Sequence, residues 1–191
     1  LLVVGLLFAV APTKQAQAQG GTQVYEVEVG TGKQYTTLAD AIAAVPTNLT
    51  EVTYVLYSDQ SLTATSATAP DLAKGAGTVN LVKADGVASV KLTLDGAYTG
   101  KFVALGAQLN FNGLTLANYK ANGEGTDPWE FAYLMVDAAS VNFDGCTIIN
   151  GILISIDAVF DDCLFDRQPR YYPNLVDGKD YSLDDYALWI H

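Results

Sequence analysis

Apolar and polar residues alternate along this chain in short runs, and one run is written three times. The copies read Leu109-Asn110-Phe111-Asn112-Gly113-Leu114, Val141-Asn142-Phe143-Asp144-Gly145-Cys146 and Ala158-Val159-Phe160-Asp161-Asp162-Cys163. A fainter copy, Leu92-Thr93-Leu94-Asp95-Gly96-Ala97, precedes them, so the steps from Asp95 to Asn112, Asp144 and Asp161 are 17, 32 and 17 residues. Alternation is the period of a strand. The Asn or Asp that follows, with Gly next, marks a corner, because Gly tolerates positive φ and the Asx side chain bonds its own backbone. A second apolar strand comes after each corner: Leu114-Thr115-Leu116, Cys146-Thr147-Ile148 and Cys163-Leu164-Phe165. Strand, corner and strand at a short, fixed step predict an all-β chain, a right-handed parallel β-helix whose coils stack and share one core. The 32-residue step reads as one coil of 17 with an insertion of 15.

Upstream, Val24 to Val29 alternates like a strand and Gly30 to Gly32 turns the chain. Thr37 then caps a helix with Leu38, Ile42 and Val45 on one face, Asp40 completing a weak capping box and Pro46 closing it. Such a helix can cover the open end of the first coil, where bare strand edges would otherwise recruit another chain. Val52 to Leu62 and Thr78 to Ala84 supply further strands, with a loop from Thr63 to Ala69. Tyr186 to His191 reads as the first strand of another coil, so the natural chain is expected to continue.

Residues 1–11 are an apolar run too short to span a bilayer, and Ala16-Gln17-Ala18 has the small-x-small pattern of a cleavage site. Residues 1–18 are therefore expected to be a signal peptide incomplete at its start, residues 19–23 a linker and residues 24–191 the β-helix domain, secreted or held at the cell surface. The 191 residues carry a formal charge of −11. That balance disfavours nucleic acid and anionic membrane, both of which need a basic face. Cys146 and Cys163 fall at the same position of adjacent coils and read as a ladder of buried free thiols, since in-register Cβ vectors run side by side, with a disulfide as the alternative in an oxidising compartment.

The run from Val27 to Ile42, strand, Gly-rich turn, Tyr35, Thr37-Leu38 and an Ala-rich helix, resembles the opening of pectate-lyase-like and pectin-methylesterase-like β-helix proteins. The phrases at Phe143 to Asn150 and Phe160 to Phe165 resemble coils of pectate-lyase-like domains in secreted and surface proteins of gut-type bacteria. The resemblance is specific for fold and weak for activity.

Chemistry is expected where the rhythm breaks. One insertion follows Asn118, to about Phe131, and another follows Asp166, to about Tyr186. Aligned to the repeat, Asn118, Asn150 and Arg167 share one corner, so two walls rise from the same edge with Asn150 on the floor between them. One wall carries Asp127, Trp129 and Glu130; the other carries Arg167, Arg170, Tyr171 and Tyr172, and those arginines are the only two in the chain. Aromatic faces beside carboxylates and a guanidinium fork suit sugars and uronates. The alternative is that the aromatics pack the loops onto the flank and the arginines pair with local Asp. Activity of the kind the resemblance implies, Ca2+-assisted elimination from a uronate, would use stacked Asp144, Asp161 and Asp162 as ligands. Turn formation explains the same aspartates. A glycan-binding or adhesive module, a polysaccharide lyase and a structural stalk thus remain open, with no cofactor required and Ca2+ admissible.

Overall fold

The computed structural model describes residues 23–63, 69–95, 101–118, 134–149, 152–154, 156–166 and 188–190. The expected leader, its expected cleavage point and most of the expected linker lie outside them. The described strands are β1 (Val24–Val29), β2 (Glu51–Leu56), β3 (Gln60–Thr63), β4 (Thr78–Lys83), β5 (Lys91–Asp95), β6 (Lys101–Asn112), β7 (Thr115–Asn118), β8 (Leu134–Asp144), β9 (Thr147–Ile149), β10 (Ile152–Ile154), β11 (Asp157–Asp161), β12 (Leu164–Asp166) and β13 (Leu188–Ile190). One helix, α1 (Leu38–Ala44), joins β1 to β2.

The fold is all-β, and the described strands pair in parallel. The larger sheet runs β1-β2-β4-β6-β8-β10-β13, with β11 also on β8; the smaller runs β3-β5-β7-β9-β12. Val27, Tyr54, Leu81, Phe111, Phe143 and Phe160 stand in one row of the larger sheet, so the chain returns there after 27, 27, 30, 32 and 17 residues. Leu188 to Ile190, expected as a strand, pairs with Ile152 to Ile154.

The fainter copy of the phrase is not equivalent to the others. Leu92 to Asp95 lies in the smaller sheet between β3 and β7, and the true predecessor of Phe111 is Leu81. An inward Leu-x-Leu looks the same in either sheet, so alternation alone could not tell them apart. The 17-residue step from Asp95 to Asn112 therefore crosses between sheets and completes no circuit.

Inward residues of both sheets meet in one core, in which Tyr54, Phe111, Phe143, Leu92, Leu116 and Ile148 are all buried. Each such side chain gains about 1.5–3 kcal/mol on leaving water. The Phe of each repeated phrase becomes a stack: Phe111 and Phe143 lie 5.1 Å apart, Phe143 and Phe160 4.8 Å, with planes 2° and 6° from parallel. The outward neighbours form a hydrogen-bonded ladder. Asn142 Nδ2 donates to Asn110 Oδ1 (2.9 Å), Asn110 Nδ2 to Asn80 Oδ1 (2.8 Å), and Asn80 Nδ2 to Thr53 Oγ1 (3.0 Å) and Glu51 Oε1 (2.9 Å).

Helix α1 packs against β1 and β3, the first strands of the two sheets, with Leu38 and Ile42 buried, as is Val45 just beyond it. Thr37 accepts from the Asp40 amide at 3.1 Å and donates its hydroxyl to Asp40 Oδ2 at 2.6 Å. Two further ties carry no local sequence signal. Buried Gln60 accepts from the Leu38 N–H at 2.9 Å, and Lys74 Nζ donates to the Ala43 and Val45 carbonyls at 3.0 and 2.8 Å. These satisfy groups that a helix end leaves open. Among the described residues no helix is long and apolar enough to cross a membrane.

Candidate functional site

The two ends of the smaller sheet's strands are built differently. At one end, β6 reaches β7, β8 reaches β9 and β11 reaches β12 across only two residues each: Gly113-Leu114, Gly145-Cys146 and Asp162-Cys163. The first residue of each pair is left-handed, with φ of 67°, 58° and 46°. Glycine fills two of these places at no steric cost, and Asp is among the few other residues that tolerate the third. The corners are tied to one another as well. Gly113 N–H donates to the Asp144 carbonyl and Gly145 N–H to the Asp161 carbonyl, both at 2.9 Å.

At the other end the connections vary. Segment 119–133 follows β7, segment 150–151 follows β9 and segment 167–187 follows β12. Leu116, Ile148 and Phe165 stand in one row, so these three segments start side by side along a single edge. The two long ones are attached about 10 Å apart, with β9 between them. Segments 64–68 and 96–100 start on the same edge, after β3 and β5.

The candidate sugar-binding residues Asp127, Trp129, Glu130, Asn150, Arg167, Arg170, Tyr171 and Tyr172 lie outside the described residues; their attachment points are the ones just given. The candidate metal ligands are described. Asp144 and Asp161 are register partners, and Asp162 is the left-handed corner residue. Asp144 Oδ2 already accepts from Asn112 Nδ2 at 2.7 Å. Among the described residues no group of three or more His, Cys, Asp or Glu is arranged to hold a metal ion. Asp144, Asp161 and Asp162 do not assemble the six to eight converging oxygens that a Ca2+ site needs.

A second polar cluster was not foreseen. Tyr57 Oη donates to Glu28 Oε1 at 2.7 Å, Lys33 Nζ sits 3.5 Å from the Tyr57 ring centroid, and the same Nζ is 3.8 Å from Glu28 Oε2. The hydrogen bond to Glu28 is the main cause that pushes the Tyr57 hydroxyl above its ordinary range. Its three groups satisfy one another, and Gly30, with φ 147°, lets the chain pass the Tyr57 Cβ, which an added Cβ would meet at 3.0 Å. No family model, no curated protein and no solved structure matches this chain.

Proposed function

We propose that the chain is an exported right-handed parallel β-helix whose variable edge binds a glycan without turning it over. The observation that carries this reading is the segregation of the connections. One end of the smaller sheet has connections of two to seven residues, three of them two-residue corners, whereas the opposite edge carries segments of 15 and 21 residues with a short one between them. In stacked-strand architectures, insertions gathered on one side commonly form the binding face. Both arginines of the chain, Trp129, Tyr171 and Tyr172 belong to the two long segments. Their chemistry supplies ring faces for sugar CH groups and charged forks for hydroxyls and carboxylates. The resemblance of the Val27 to Ile42 run to pectate-lyase-like openings supports the same fold and the same class of ligand, with export following from the leader.

The test uses the chain from residue 19 onward, immobilised uronate polysaccharides and added Ca2+, with absorbance of the unsaturated product followed alongside retention. Retention without product, reduced at least about tenfold by Trp129→Ala or Arg167→Ala at unchanged melting temperature, is expected. Product formation would make the edge an active site. Absence of both signals would leave a structural stalk.

A further inference from the structure

Cys146 and Cys163 occupy one position on adjacent passes of the chain, and the register is pinned on both sides of them. Before the pair, Asp161 stands beside Asp144; after it, Leu164 stands beside Thr147. The Leu164 N–H also donates to the Cys146 carbonyl at 2.8 Å. Both cysteines are free thiols. Cys146 is buried and Cys163 half-buried, so the expected buried ladder is complete only at Cys146. Cys163 Sγ contacts not only its own Asp161 carbonyl at 3.2 Å but also the Phe143 carbonyl at 3.5 Å, on the pass that carries Cys146. Its thiol leans toward its partner's pass. Neither cysteine lies inside a strand; both follow a left-handed corner residue, where the Cβ direction is not held parallel by the pleat.

We propose that Cys146 and Cys163 are a redox couple, which a small-molecule disulfide converts from two thiols to a bond between neighbouring passes. The less buried partner reacts first: the Cys163 thiolate attacks one sulfur of the oxidant and releases one thiolate. Cys146 then loses its proton and attacks the Cys163 sulfur, forming the protein disulfide and releasing the second thiolate. The protein gives up two protons and two electrons, and the oxidant leaves as two thiols. Burial holds the Cys146 thiol up at about 11, with the nearby Cys163 adding to the shift, so the second step is the slow one. The bond ties β12, from which segment 167–187 departs, to the pass before it. The couple does not depend on what that segment binds.

Oxidised glutathione is the probe, applied to the reduced full chain in native buffer, with intact mass and a non-reducing peptide map as readouts. A product two hydrogens lighter, with Cys146 and Cys163 cross-linked within one chain, is expected. Its yield relative to the mixed disulfide should exceed that in urea by at least about tenfold, because the fold holds the thiols at high effective concentration. Cys146→Ser should stop at a stable glutathione adduct on Cys163, and Cys163→Ser should resist modification. A wild-type chain that stops at the Cys163 adduct, stays unmodified, links two chains, or cross-links no better folded than unfolded would overturn the proposal. The wild-type measurement decides alone if a variant fails to fold.

Discussion

Phe143 stacks face to face on Phe111, with ring centroids 5.1 Å apart and planes 2° from parallel. Phe160 covers its other face at 4.8 Å. Phe143 is thus enclosed on both sides and 1% exposed, whereas Phe160 is half-buried. Phe143→Ala should cost about 3–5 kcal/mol, the range for a buried Phe cavity, and Phe160→Ala clearly less. Urea denaturation followed by circular dichroism measures both. Equal losses would mean that the stack is not the core's main column.

Tyr54 is fully buried and donates its hydroxyl to the Leu72 carbonyl at 3.0 Å. Tyr54→Phe leaves that carbonyl without its donor and should cost about 1–3 kcal/mol. Burial, then the negative charge of Asp71, raises the Tyr54 hydroxyl far above its ordinary range. In the unfolded chain it ionises near pH 10. A raised folded-state value means stability that is complete below that pH and declines above it, because only the unfolded state releases the proton. The loss of stability between pH 10 and 12 should be smaller in Tyr54→Phe than in the wild type. Parallel curves would refute the assignment.

Asp162 stands where the neighbouring passes have Gly113 and Gly145, and it shares their left-handed backbone. Asp162→Gly removes backbone strain but frees the unfolded chain, so its net effect should lie within about 0.5 kcal/mol. Gly145→Ala should cost about 1–2 kcal/mol. Melting curves with and without Ca2+ check both. A Ca2+-dependent rise that vanishes in Asp162→Gly would restore the metal reading of these aspartates.

The amide ladder has a direction. Asn110 donates to Asn80 Oδ1 and accepts from Asn142. Asn110→Asp sets a carboxylate against the Asn80 oxygen, whose own amide is engaged by Thr53 and Glu51. The variant should be about 1–3 kcal/mol less stable at pH 7. The opposed oxygens raise the new carboxyl's pKa in the folded state, so the deficit should shrink as pH falls toward 4. Paired wild-type and variant melts across pH 4 to 7 measure it; a deficit independent of pH would count against the directional ladder.

The three phrases ending at Leu114, Cys146 and Cys163 were legible because their alternation and corner chemistry are local. The structure sets their phenylalanines in one row. The earlier passes were less legible. Val79 to Val82 precedes Leu109 to Asn112 in register, but Lys83 prolongs the strand where the later copies turn at Gly113, Gly145 and Asp162. Helix α1 announced itself through Thr37, Asp40 and its apolar face, while the partners of its ends, Gln60 and Lys74, sit 22 and about 30 residues away and depend on tertiary placement. For the candidate site, the start points of the two long segments agree with the alignment of Asn118, Asn150 and Arg167, since Leu116, Ile148 and Phe165 share a row. The arrangement of their side chains is a matter of loop packing, which periodicity does not encode.

The corner amides of Gly113 and Gly145 each donate to a carbonyl on the pass that follows. Each finished pass therefore offers a ready template to the next stretch of chain, while α1 closes the opposite end against growth. Assembly can run in one direction, away from the helix, in step with a chain that emerges N-terminus first from a ribosome or a translocation channel.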